Sequence, residues 1–279
     1  MLYLRSCLFD SSLFYFIFRR EDFMGINLSK EESIKKISLR KDKVISLAKE
    51  RDLSDVCSRV ALVLDFSYSM ENLFDNGTVQ SIIERIIPLA LHFDDNGELD
   101  FWIFEDGFKK LDGITLDNFY GLAKDVKKHN RMGGTNYAPV MADVDRFYIE
   151  EEPLNIPNYV IFITDGDNTD RARAESMITK ISNHPIFFQF IGVGDSSFSF
   201  LEKLDEMDGR YIDNANFFSV SDINSMSDDD LYDKLFAEFP SWLKDSKVQD
   251  MLKDVKSLAS ISDITTPKKK GFFARLFGK

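Results

Sequence analysis

Two runs of consecutive apolar residues each lead to an aspartate, and they limit what this chain can fold into more than any other feature. Val60-Ala61-Leu62-Val63-Leu64 stops at Asp65, and Tyr159-Val160-Ile161-Phe162-Ile163 is followed by Thr164 and Asp165. A strand with no polar face must be covered on both sides. A third run, Ile186 to Val193, closes at Gly192 and Gly194. Between these strands the apolar positions recur at helical spacing, as in Ile82, Ile83, Ile86, Ile87, Ala90 and Leu91, with Pro88 expected to kink or loosen that helix.

The spacing predicts further helices at 118–128, 140–148, 171–182, 199–206, 228–245 and 248–258. A hairpin is predicted from 99–104 and 108–114, with an edge strand inside 210–220. Strands alternating with helices imply a doubly wound, mainly parallel sheet with helices on both faces, an α/β fold of Rossmann-like type. In such sheets ligands sit beyond the carboxyl ends of the strands, where Asp65 and Asp165 both stand.

The 279 residues are enough for one large α/β domain at 59–245, and the remainder divides into extensions. Residues 1–23 contain an aromatic run too short and too closely flanked by charge to span a bilayer. They read as a mis-assigned start ahead of Met24, or as an aromatic amphipathic anchor. Residues 24–58 read as an extended arm, 246–267 as a helix and linker, and 268–279 as a basic, aromatic tail suited to a membrane surface or a groove on a partner. Cys7 and Cys57 form neither a disulfide framework nor a zinc motif, which fits a cytoplasmic protein, peripheral at the inner membrane face if the tail docks there. Residues 51–267 hold 20 basic and 40 acidic side chains, so nucleic acid is disfavoured as a partner.

The chemistry concentrates in three places. Asp65-Phe66-Ser67-Tyr68-Ser69 sets a carboxylate and two hydroxyls at alternate positions after a strand. Gly133-Gly134-Thr135 lets a threonine hydroxyl approach closely, and Thr164-Asp165-Gly166 adds a second carboxylate. A hard cation such as Mg²⁺ takes oxygen ligands of this kind. Asp165 to Asp170 is not an EF-hand, because Asp170 stands where glycine and Ser176 where glutamate would be required. Asp167 and Asp170 are expected at the start of the following helix. His92, His129 and His184 lie on separate segments without a paired nucleophile, and no phosphate-binding loop is present.

The order Asp-x-Ser-x-Ser, then Thr, then Asp resembles the metal-ion-dependent adhesion site (MIDAS) of von Willebrand factor A (vWA) domains. The resemblance implies that Asp65, Ser67, Ser69, Thr135 and Asp165 hold Mg²⁺, or another divalent cation such as Mn²⁺ or Ca²⁺. One position would stay open for an Asp or Glu of a partner protein. Gly25-Ile26-Asn27-Leu28-Ser29-Lys30 is similar to the opening of tellurium-resistance and stress proteins of the Ter group, whose TerF-like branch joins such a segment to a vWA domain. That resemblance implies a non-enzymatic interaction module of a bacterial tellurium-resistance or stress system, with Ter-system proteins as partners. Two alternatives stand beside it. One is Mg²⁺-dependent phosphoryl transfer with Asp65 as nucleophile, which needs a second Asp where Ser67 stands. The other is a scaffold with a vestigial metal site.

Overall fold

The structure is a computed structural model that describes residues 29–258. Six strands form one sheet: β1 (Arg59–Asp65), β2 (Leu99–Phe104), β3 (Phe108–Ile114), β4 (Asn158–Thr164), β5 (Ile186–Val193) and β6 (Ala215–Val220). Their order is β3-β2-β1-β4-β5-β6, and only the β2–β3 pair is antiparallel. Every residue of β1, β4 and β5 is buried, as unbroken apolar runs require.

The chain runs outward from β1 to β2 on one side and later from β4 to β5 and β6 on the other. The order therefore reverses between β1 and β4, whose carboxyl ends carry Asp65 and Asp165. That is the crevice where a doubly wound sheet places a ligand.

Alternate side chains of the strands feed two cores. On one face Leu62, Leu64, Tyr159, Ile161 and Ile191 meet the helix α3 (Thr78–Phe93) and residues near the carboxyl end of the chain. On the other, Val63, Trp102, Val160, Phe162 and Phe190 pack on α5 (Ala138–Arg146), α6 (Arg171–Ile181) and α7 (Ser199–Glu206). The short helix α2 (Glu71–Asp75) precedes α3, which continues through the buried Pro88. Asn118 to Gly121 precede α4 (Leu122–His129) instead of forming its first turn, because Gly121 sits at φ 76°, a left-handed value that ends one path and begins another. The helix expected at 228–245 divides into α8 (Asp228–Leu235) and α9 (Phe239–Lys244), with Pro240 in the first turn of the second. Helix α10 (Ser246–Leu258) follows. No helix among the described residues is long and apolar enough to cross a membrane.

The extended arm expected at 24–58 is a correction. Lys30–Glu50 is a 21-residue helix, α1, packed against α3. Ser29 and Glu32 close a capping box: the Ser29 hydroxyl accepts the Glu32 N–H (3.3 Å) and Glu32 Oε2 accepts the Ser29 N–H (2.8 Å). Ile37, Val44 and Ala48 are its buried apolar residues, while Arg40, Lys43 and Arg51 pair with Asp228, Asp229 and Asp233 of α8. Residues 1–28 and 259–279, which include the start-site question, most of the Ter-like segment and the basic tail, lie outside the described residues.

One acidic cluster at the end of α7 affects stability. Burial, then the nearby charges of Glu238 and Asp213, push the Asp205 carboxyl up from 3.8 to about 7, against the opposing pull of Arg210. Between those values the folded protein holds a proton that the unfolded chain has released. Stability therefore falls as pH rises through this window and is flat above it. Asp205→Asn removes that fall, so its unfolding midpoint is expected to lie above that of the wild type at pH 8 and to converge with it near pH 4. The difference grows by at most about 1.4 kcal/mol per pH unit, reduced by solvent screening at this partly exposed position. Thermal unfolding across that range checks it, and equal midpoints at pH 8 would contradict it.

Candidate metal site at the strand tips

Asp65 ends β1 with its carboxylate fully buried. Its Oδ1 accepts the Ser67 N–H (2.8 Å) and its Oδ2 accepts the Thr164 hydroxyl (2.5 Å). The first bond folds the loop back, so that Ser67 and Ser69 come together with their hydroxyl oxygens 3.0 Å apart. The Ser69 hydroxyl then donates to Asp165 Oδ1 at 2.8 Å. Four of the five residues singled out in the sequence are thus joined by direct hydrogen bonds across two strand tips.

Thr135 reaches the same rim through its backbone. The Tyr68 N–H donates to Gly133 O (3.1 Å) and the Gly133 N–H to Phe66 O (3.4 Å), a short parallel bridge pairing Ser67 with Gly133. On the far side the Thr169 N–H holds Thr135 O at 2.9 Å. The two glycines allow this approach. A Cβ at Gly133 would lie 2.6 Å from Glu105 Oε2, and one at Gly134 would collide with the Asp106 carboxylate that accepts the Gly134 N–H.

Phe66 and Tyr68, which alternate with the ligand candidates, point opposite ways. Phe66 is buried edge-on against Phe74, whereas Tyr68 is 62% exposed at the rim. His129 turns back along its own helix to Asp125 O, and His184 pairs with Asp145.

The electrostatics favour a cation. Burial raises the Asp65 carboxyl to about 7, with the neighbouring Asp165 adding to the rise and the Thr164 and Ser67 hydrogen bonds opposing it. Burial likewise raises Asp165. Among the described residues no Lys, Arg or His pairs with either carboxylate. The buried Asp65 and half-buried Asp165, linked through Ser67 and Ser69 and without a counter-ion among the described residues, fit a small hard cation, which would offset their desolvation.

Several residues that support the site escaped the sequence reading. The Tyr137 hydroxyl donates to Gly166 O (2.5 Å) and lies 3.2 Å from Thr164 Oγ1, so it backs the group that holds Asp65. Asp170 and Asp167 do not cap their own helix. Asp170 gives α6 no side-chain cap, and its two oxygens accept the N–H groups of Tyr137 and Ala138 (both 2.9 Å) at the start of α5. Asp167 accepts the Phe200 N–H of α7 and pairs with Arg171. Carboxylates favour the positive ends of helix dipoles, and here they serve neighbouring helices that sequence spacing does not reveal.

Asp170→Ala strands two backbone donors directly after the Thr135 loop, and it is expected to cost about 2–3 kcal/mol in urea unfolding, against less for Asp170→Asn. A loss below about 0.5 kcal/mol would mean that water replaces the carboxylate there without penalty.

A family model described as "vWA found in TerF C terminus" matches residues 57–252. The uncharacterized protein YcbR of Bacillus subtilis (strain 168) is 41% identical over 247 residues, which cover 87% of this chain and 99% of that protein. Among solved structures, the SpRpn10 VWA domain is 12% identical with a TM-score of 0.49, over 63% of this chain and 94% of that one. A von Willebrand factor type A structure from Catenulispora acidiphila is 15% identical with a TM-score of 0.46 over 72% of this chain, which spans only 42% of its length.

Proposed function

The chain belongs to the TerF-like family of vWA domains, a fold of protein-interaction type, and from that premise we propose that it is a metal-dependent interaction module. The observation that carries this reading is the convergence of Asp65, Ser67, Ser69 and Asp165 at the switch point of the sheet, with no cationic side chain among the described residues paired to them. Asp65, Ser67, Ser69, Thr135 and Asp165 would hold Mg²⁺ or a related divalent ion. When bound, the ion would supply a Lewis-acidic position that a carboxylate of a partner can take.

The residues around it have definable tasks. Thr164 and the Ser67 N–H fix both Asp65 oxygens, the paired glycines let the Thr135 loop close on the rim, and Tyr137 holds the strand tip from behind. Ser67 occupies the position where a phosphoryl-transfer site of this kind would need its second aspartate, and the Thr164 and Ser69 hydroxyls are engaged in holding the Asp65 and Asp165 carboxylates. The reading is therefore non-enzymatic, with an Asp- or Glu-bearing protein as partner. The family relationship supports a role in tellurium resistance or stress response, in the cytoplasm, with Ter-system proteins as candidate partners.

The test is calorimetric titration of Mg²⁺ into wild type and Asp65→Asn. Binding by the wild type alone is the expected result. Equal binding by both, or binding by neither, rejects the assignment.

A further inference from the structure

Thr135 differs from the other four ligand candidates in how it is held. Asp65, Ser67, Ser69 and Asp165 are fixed through their own side chains, whereas the Thr135 hydroxyl forms no hydrogen bond among the described residues. A hydroxyl without a bond of its own is held in one place only if the backbone beneath it is rigid. Gly133 and Gly134, just before it, lend no stiffness.

The rigidity comes from Asn136. Its N–H donates to Glu105 O (2.8 Å) and its Nδ2 to Asp106 O (3.0 Å), so backbone and side chain both grip the turn between β2 and β3. Its Oδ1 accepts the Thr169 hydroxyl at 2.6 Å, in the loop that follows Asp165. Thr169 in turn holds Thr135 O through its N–H, and its hydroxyl oxygen lies 3.3 Å from that same carbonyl. One amide thus joins the Thr135 loop to both neighbouring loops of the rim.

An asparagine this close to a helix start ordinarily caps the helix. Asn136 does not, because the N–H groups of Tyr137 and Ala138 go to Asp170 and leave its amide to the loops. The task needs a donor and an acceptor on one short planar group, which an aspartate or an alanine lacks. We propose that Asn136 is a positioning residue of the metal site: it fixes the Thr135 backbone so that the hydroxyl is presented to the ion, with Thr169 as its second anchor. This inference rests on the metal-dependent reading given above. Groups that orient metal ligands typically contribute about tenfold to a hundredfold in affinity.

The probe is Mg²⁺ alone, titrated calorimetrically into the wild type, Thr135→Val, Asn136→Ala and the double variant. Thr135→Val keeps the β-branched shape and removes only the unbonded hydroxyl, so its urea midpoint should match that of the wild type. Each single variant is expected to bind Mg²⁺ at least about tenfold more weakly, and the double variant no more weakly than Thr135→Val. A merely structural role for Asn136 would instead add its loss to that of Thr135→Val. Thr169→Val and Thr169→Ser, at an exposed position that keeps its backbone bond to Thr135, give a second test that does not depend on the folding of Asn136→Ala. The valine should weaken Mg²⁺ binding and the serine should restore it. If the wild type binds Mg²⁺ and Asn136→Ala or Thr169→Val binds it as tightly, or the two losses multiply in the double variant, Asn136 does not position Thr135 and the metal site stands. If the wild type binds no Mg²⁺, both readings fall.

Discussion

Magnesium at a hundredfold excess over its dissociation constant is expected to stabilise the wild-type protein by about 2.7 kcal/mol and to stabilise Asp65→Asn not at all. For a domain of this size that gain corresponds to a rise of about 5–11 °C in the unfolding midpoint. The substitution is chosen because it separates charge from shape. An asparagine carbonyl oxygen can still accept the Ser67 N–H that folds the loop, so the variant should remain folded. The negative charge that a divalent ion requires is gone, and Asp165 alone, which is partly exposed and shared with Ser69, does not replace it. Excess chelator should return the wild type to its starting midpoint and leave the variant where it was. A shift of equal size in both proteins would place the responsive ion somewhere other than this rim.

Phe162→Ala is expected to cost about 3–5 kcal/mol, a large part of the 5–15 kcal/mol that holds a typical domain together. Phe162 lies in the middle of β4, fully buried, with ring centroids of Phe104, Tyr137 and Phe190 at 4.7, 4.9 and 5.1 Å. Strands on either side and helices above leave little freedom for the cavity to collapse, so the loss should sit toward the upper end of that range. The effect should also reach the metal site, because Tyr137 both packs on Phe162 and holds Gly166 beside Asp165. Weaker Mg²⁺ binding in the folded fraction of Phe162→Ala would confirm that link. Urea unfolding measures the stability term, and a cost under about 1 kcal/mol would contradict the packing described.

The candidate site was largely legible because its oxygens lie in short contiguous pieces whose strand context is strong. Runs such as 60–64 and 159–163 have no polar face, so their burial and their position in the middle of a parallel sheet follow from composition alone. A residue immediately after such a strand lies at the sheet rim by geometry. The arm was misread for the opposite reason. Residues 30–50 are polar on balance, and Ile37, Val44 and Ala48 are too sparse to stand out from a list of scattered apolar residues. The signal that marks the helix is local: Ser29-Lys30-Glu31-Glu32 carries the Ser-x-x-Glu spacing of a capping box.

The sequence by itself determined the alternation of strands and helices from β1 onward, the doubly wound sheet and which oxygens stand at its tips, because the strand and helix patterns depend on neighbours only a few residues away. Tertiary structure alone decided that Asp170 and Asp167 serve helices other than their own, that Tyr137 backs Thr164, and that the Thr135 loop bridges to the Asp65 loop through Gly133. Those relations join groups brought together by sheet register and helix packing, and a carboxylate responds to whichever donor is nearest in space, wherever that donor stands in the chain.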